Sequence, residues 1–406
     1  MAIKLTEHQQ SKVDKVIDNL GLFGKALLSG VAGTGKTTSV EDIIKSYQKR
    51  HKSVWITGTT HKSVEVISKM SALSEKRIST IHSFLNLVPD RTGYNKPMVK
   101  NPKANDNFTD LLIIEEYSML TKDVIYHLEN YLKMYNTQVL FVGDASQLIL
   151  NHGDIDALGL EKVSSYLTEP MRQGEMSDIA LYTSMVSKFI LGKGPEPSVP
   201  FGDEIVKYEN HTDFINAWKR CKTDDKAILA FKNVTVKTYN TNISKHFRNQ
   251  ALEYVAGNRV VLRSVVFTEA GDMIPNRRTV ELTKVDDKGD YYEVESDYGR
   301  FKINKTAVWL NAQTKHFAAK MDWNSFYKFR EKFVMVHHAD ALTVYGAQGS
   351  TYEEVFIDAS DMMTAQKDVR RMAYVSISRA KKRAHIYMGT SRDYKAFEAT
   401  VEDSLI

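Results

Sequence analysis

One stretch limits what this chain can fold into more than any other. The apolar run "KALLSG" (25–30) passes into "GVAGTGKT" (30–37), and the chain leaves it with apolar residues at helical spacing. The pattern G-x-x-x-x-G-K-[ST] is complete, and it stands where it must, after a strand and at the start of a helix. Gly33 and Gly35 open backbone conformations that a Cβ resists. The loop N–H groups and the N-terminus of the helix then converge on one point, a cradle for phosphate groups. Gly30, Val31, Ala32, Gly33, Thr34, Gly35, Lys36, Thr37 and Thr38 are the expected nucleotide contacts. Lys36 would reach the β- and γ-phosphates, and the Thr37 hydroxyl would hold Mg2+. A Gly-rich turn with a chance lysine would give the same letters, but not the flanking strand and helix.

Strand-like runs recur as "SVWITGT", "DLLIIEE" and "TQVLFVGD", and segments between them carry helical spacing. This alternation predicts a parallel sheet covered by helices. "LLIIEE" raises an electrostatic question. Four aliphatic residues read as a strand buried on both faces, yet they end in Glu115 and Glu116. Buried carboxylates need compensation, and beside a phosphate cradle a cation supplies it. Glu115 is placed to hold Mg2+ through a bound water, and Glu116 to orient and deprotonate an attacking water. The plainer alternative is that both glutamates mark where the strand meets solvent.

The chain has 406 residues, too many for one hydrophobic core, so two or more domains are expected. The single cysteine, Cys221, excludes an internal disulfide framework and a Cys-based zinc site. No apolar run approaches the roughly 18 residues of a membrane span, and "MAIKLTEHQQ" has no secretory h-region. A soluble protein of a reducing cytoplasm, with no membrane partner, is the expectation. The net charge of +5 is compatible with nucleic acid without demanding it. His337 and His338 suggest no metal, because neighbours on a strand point to opposite faces.

Between Leu87 and Thr109 the alternation breaks. "VPDRTGYNKPMVKNPKANDN" is rich in Pro, Asn, Asp and Lys and reads as an inserted loop or hairpin. After the connector "GKGPEPSVPFG", "EIVKYE" and "KAILAF" resume the α/β pattern. From about Val255 to Trp309 the reading is all β, with turns at "DDKGD" and "SDYG". "KHFAAKMDWNSFYKFREKFVMV" reads as one helix. Its aromatics, Trp323, Phe326, Tyr327 and Phe329, alternate with Lys and Arg and suit a core or a nucleic-acid channel.

Further motifs follow in order: "LTEHQ" (5–9), "TGTTHKS" (57–63), "STIHSF" (79–84), "VGDASQL" (142–148), "LTEPMRQ" (167–173), "YGAQGSTYEEV" (345–355) and "AYVSISRAKKRA" (373–384). Together with the phosphate loop they resemble the superfamily 1 DNA helicases, and within them the 5′-to-3′, RecD-like branch. The resemblance covers nearly the whole chain and is weakest in the two insertions. It implies an α/β fold of two RecA-like P-loop domains, with a hairpin or loop inserted in the first and an SH3-like β-barrel in the second. The implied boundaries are 1–170 for the first domain, with a pin region at about 86–109. The second domain would hold 171–254 and 336–406, interrupted by the β insertion plus helix at 255–335.

The resemblance also implies an ATP-dependent DNA helicase serving replication or recombination, with ATP and Mg2+ as cofactors. Gln9 would recognise adenine. Lys36, Glu116, Gln147, Arg172 and Arg379 would act in catalysis, Gln147 on the γ-phosphate and the two arginines as fingers. Gly349 would contact nucleotide. Thr59, His61, Thr80 and His82 would lie on the DNA side of the first domain, although each histidine also has plain structural uses. Thr343, Gln348, Gly349 and Ser350 would couple DNA to nucleotide in the second. The family usually reads Asp-Glu where this chain has Glu115-Glu116, which changes the reach to the metal and leaves a swap of the two roles open.

Strand separation needs a wedge. Related helicases carry a pin here, and Tyr94 is the candidate for stacking on the fork, against the alternative of an ordinary surface loop. The implied partners are single-stranded and forked DNA, with a single-stranded-DNA-binding protein or replisome component in addition, and a monomeric motor is expected. Rival readings are an RNA-directed or non-unwinding translocase, and a nucleic-acid-binding protein whose nucleotide site is only a switch.

Overall fold

The strands of the first part of the chain are β1 (Lys25–Gly30), β2 (Val54–Gly58), β3 (Ile78–Thr80), β4 (Leu87–Pro89), β5 (Met98–Lys100), β6 (Leu111–Glu115), β7 (Gln138–Gly143) and β8 (Ser164–Leu167). Six of them form one parallel sheet in the order β3-β2-β6-β7-β1-β8. Leu111 and Ile113 face a core shared with α1 (Glu7–Phe23) and α2 (Lys36–Lys49). Leu112 and Ile114 face a second core with the helix Lys122–Met134. A strand covered on both faces needs an apolar residue at every position, which accounts for the unbroken run. Burying each such side chain contributes about 1.5–3 kcal/mol. Parallel order also brings the carboxyl ends of β1, β6 and β7 to one edge, the usual ligand edge of an open α/β sheet.

The computed structural model describes residues 5–389 apart from 32, 60–62, 65–66, 69–72, 95, 150–151, 170–176, 249, 251, 270–272, 275 and 366. Ala32, His61 and Arg172 therefore lie outside the described residues. The chain divides into two compact units, Met1–Met176 with Leu191–Lys193, and Ser177–Ile190 with Gly194–Ile406. Among the described residues, no helix is long and apolar enough to cross a membrane, and no group of three or more His, Cys, Asp and Glu is placed to hold a metal ion by itself.

The second unit holds a five-stranded parallel sheet, with strands in the order Ala341–Thr343, Lys226–Ala230, Tyr352–Asp358, Ala380–Tyr387 and Ile205–Tyr208. A separate six-stranded, mainly antiparallel sheet spans Arg259–Leu262, Thr279–Asp287, Tyr291–Ser296, Gly299–Asn304, Phe333–Val334 and Val336–His338. Val336–His338 pairs with Arg259–Leu262, so this sheet runs past residue 335. His338 is buried and bonded to Ser244 and the Glu253 carbonyl, a structural histidine.

The segment read as one helix is two, Ala307–Ala319 and Trp323–Arg330. Met321 takes a left-handed conformation at φ 55°, and the Asp322 side chain accepts from the Ser325 N–H, capping the second helix. Phe326 is buried, so core packing wins there; Trp323, Tyr327 and Phe329 are half-buried. The break at 86–109 folds as an antiparallel hairpin of β4 and β5, with Pro89 opposite Met98.

Candidate functional site

The phosphate loop takes the backbone that its glycines predict. Gly33 and Gly35 sit at φ 82° and 83°. A Cβ on Gly30 would meet the Thr34 hydroxyl at 2.6 Å and the Leu167 carbonyl at 2.8 Å, so close packing requires glycine there. Gly35 is the N-cap of α2, and among the described residues no side chain caps that end. The first-turn N–H groups therefore suit an anion. The Lys36 ammonium donates to the Gly30 carbonyl at 2.5 Å and the Val31 carbonyl at 3.1 Å, which holds it inside the loop. Thr37 is exposed on the first turn of α2, and Thr38 is half-buried.

Gln9 is buried, and its amide is engaged at both ends. Its oxygen accepts from the Thr6 N–H, completing a capping box, and its NH2 donates to the Thr34 carbonyl at 3.1 Å. The expected adenine reader thus braces the phosphate loop in this structure.

Glu115 ends β6, and Glu116 follows at φ 56°, ψ 46°, in the left-handed region. A glutamate seldom adopts that conformation, and such outliers concentrate at functional sites. Burial pushes the Glu115 carboxyl up to about 7; the Lys36 ammonium pulls it down, and Glu116 pushes it further up. Lys36, Glu115 and Glu116 are thus within electrostatic reach of one another. A carboxylate that burial makes harder to ionise is one that a dication would stabilise. The donors on this edge, a threonine hydroxyl and carboxylates, are hard oxygens of the kind Mg2+ prefers. The residues present fit the ion.

Gln147 and Asp144 are both buried in the turn after β7. The Ser146 N–H donates to Asp144 Oδ1, and the Ala145 N–H donates to Ser29 Oγ at 2.9 Å. Ser29 precedes Gly30, so the strand feeding the phosphate loop also pins the Gln147 turn. Ser29 was not anticipated; a buried polar residue inside "KALLSG" was the available signal.

In the second unit Arg379 is 6% exposed. Its guanidinium donates through Nε to the Val375 carbonyl at 3.1 Å, through Nη1 to the Ser350 carbonyl at 3.2 Å, and through Nη2 to Ser378 Oγ at 2.9 Å. The loop expected to meet DNA therefore grips the arginine expected to meet phosphate. Gly349, at φ 72°, shapes that loop, and Gln348 beside it is buried.

Thr80 and Thr343 hold equivalent places. Each ends an edge strand of a parallel sheet and caps a four-residue helix, accepting from Ser83 N–H at 3.1 Å and Gly346 N–H at 3.0 Å. His82 is half-buried in the first of these helices, and the buried Thr59 hydroxyl has no partner among the described residues. Tyr94 lies at the hairpin tip and is 62% exposed.

Residues 22–152 match the family model of the AAA domain, and residues 338–387 that of the UvrD-like helicase C-terminal domain. The ATP-dependent DNA helicase Pif1 of Campylobacter jejuni is 31% identical over 156 residues, which is 34% of this chain and 30% of that protein. An uncharacterized protein of Acanthamoeba polyphaga mimivirus is 21% identical over 464 residues, covering 88% of this chain and 94% of the other. Among solved structures, the Pif1 helicase from Bacteroides in complex with ADP-AlF3 and ssDNA is 15% identical. The likeness covers 99% of this chain and 98% of that one at a TM-score of 0.52, which shows the shared α/β fold of two RecA-like domains. An AAA domain ahead of a UvrD-like helicase C-terminal domain supports an ATP-dependent DNA helicase.

Proposed function

We propose that the chain moves 5′-to-3′ on single-stranded DNA and parts the duplex on its β4–β5 hairpin. The observation that carries the coupling is the bond from Arg379 to the Ser350 carbonyl. DNA that reorders the 348–350 loop would change the hold on a guanidinium suited to the γ-phosphate. The direction rests on the motif resemblance to the 5′-to-3′ branch and, within it, to the phage Dda helicase. Binding of single-stranded DNA is supported by the bound strand of the Bacteroides Pif1 structure. The antiparallel sheet of the second unit is the counterpart of the branch's SH3-like insertion. Forked DNA is the working substrate, the motor acts as a monomer in a cytoplasm, and a single-stranded-DNA-binding protein or replisome component is its partner class.

At the nucleotide, Lys36 and the uncapped N-terminus of α2 hold the phosphates, and Gln9 keeps the loop in shape. Thr37 and Glu115 would hold Mg2+, which when bound would neutralise negative charge on the phosphates. Glu116 orients the attacking water and takes its proton, while Gln147 and Arg379 meet the charge that develops on the transferred group. Arg172 is the second candidate finger.

The test is unwinding of matched duplexes with a 5′ or a 3′ tail, in DNA and RNA versions. ATP-dependent displacement of the 5′-tailed DNA alone is the expected result. Displacement from 3′ tails would reverse the direction, and a preference for RNA would change the substrate. ATP turnover without displacement would leave a translocase.

The same assay tests the wedge. A ring at the hairpin tip can cap the last base pair, and base–aromatic stacking is worth about 1–3 kcal/mol. Tyr94→Ala is expected to lower strand displacement on the order of tenfold while single-strand-stimulated ATPase stays within about twofold. Equal losses would make the loop structural. Met98, the first residue of β5, packs half-buried against the sheet core and is not displayed at the tip.

A further inference from the structure

We infer that the helix Lys122–Met134 is a strut that holds the β4–β5 hairpin stiff during strand separation, with Asp123 and His127 as positioning residues. The inference rests on the hairpin being the separating element. Its starting observation is a row of four polar side chains, each four residues from the next: Asp123, His127, Tyr131 and Tyr135. The first three lie along one face of the helix, and Tyr135 is the extended residue that ends it. All four are bonded to the inserted segment. The Met98 N–H donates to Asp123 Oδ2 at 3.4 Å, and the Met98 carbonyl accepts from His127 Nε2 at 3.1 Å. The Tyr131 hydroxyl donates to the Asn107 carbonyl at 3.1 Å, and the Tyr135 hydroxyl to Asp106 Oδ2 at 2.7 Å. Asp106 is also paired with Lys100, the last residue of β5, and these partners hold its carboxyl below the usual range.

The hairpin needs such support. Its strands are three residues each, and an isolated two-stranded hairpin is marginal in water. A wedge that bends under load would follow the duplex instead of parting it. Asp123 and His127 grip both polar backbone groups of Met98, while the Met98 side chain packs against the sheet core. Met98 lies four residues from Tyr94, so the grip falls close behind the exposed ring. On its other side the helix places Val124, Ile125 and Leu128 in the core with Leu112 and Ile114 of β6. The strand that ends in Glu115 and the hairpin that carries Tyr94 are thus fastened to one helix. Because the Met98 carbonyl can only accept, His127 must present Nε2–H. Glutamine can supply an equivalent donor, whereas alanine supplies none.

The experiment compares His127→Ala, Asp123→Ala, His127→Gln and Tyr94→Ala in the full chain. It measures displacement of a 5′-tailed duplex, single-strand-stimulated ATPase, and hydrogen exchange over Leu87–Lys100. Both alanine variants at the strut are expected to lose about five- to tenfold in displacement, with ATPase within about twofold and faster exchange in the hairpin. His127→Gln is expected to restore more than half of the displacement rate. ATPase falling in step with displacement, or no rescue by glutamine, would overturn the strut. Loss in Tyr94→Ala with wild-type displacement in both strut variants would overturn the strut and leave the wedge standing. Loss in the strut variants with Tyr94→Ala at the wild-type rate would keep the strut and move the wedge to another side chain.

Discussion

Arg379→Ala is expected to abolish DNA-stimulated hydrolysis: turnover should fall by about 10³ or more, the contribution of an arginine finger, while nucleotide affinity should stay within about tenfold because a finger acts mainly in the transition state. The present geometry makes this a sharp test. Arg379 is buried, with three donors held by Val375, Ser350 and Ser378 of its own unit. An arginine so placed is either a finger at rest or a brace for the 348–350 loop. Lysine keeps the charge but not the fork, so Arg379→Lys should restore some turnover if charge at the phosphate matters. A brace would show itself differently, as weakened DNA binding at normal turnover with saturating DNA, and that outcome would remove Arg379 from the chemistry.

Glu116→Gln is the second large effect. Turnover is expected to drop by about 10²–10⁴, the range for losing a general base, with ATP and DNA binding retained. The left-handed backbone of Glu116, held just past the end of β6, is the reason to separate it from its neighbour. Glu115→Gln should act on the metal instead, raising the Mg2+ concentration needed for half-maximal rate. The sign of the pH dependence follows from the Glu115 carboxyl, which burial raises to about 7. Metal binding requires the ionised form. In the wild type the Mg2+ requirement therefore rises as pH falls below about 7, and in Glu115→Gln it no longer tracks pH in that range. A Glu115→Gln variant that is dead at every Mg2+ concentration, beside an active Glu116→Gln, would exchange the two roles.

The phosphate cradle was legible because its demands are local: glycines at two left-handed positions, a strand before and a helix after. The burial of "LLII" was equally legible, since a strand covered on both faces leaves no position for a polar residue. The hairpin could be expected from its turn residues. The break between the helices Ala307–Ala319 and Trp323–Arg330 was missed although Asp322 and Ser325 carry a capping pair, because a long run of aromatic and basic residues kept the helical pattern continuous across it.

The sequence by itself determined the nucleotide loop, the acidic end of β6 and the two α/β patterns, because side-chain type and backbone preference are properties of each residue and its near neighbours. Only the tertiary structure decided that the Gln9 amide reaches the Thr34 carbonyl, that Arg379 rests on the Ser350 carbonyl, and that Asp123 and His127 grip Met98. In each of these bonds the group received is a backbone N–H or carbonyl. Almost every residue carries the same pair, so no letter of the sequence marks the partner, and only the packing of elements distant along the chain selects it.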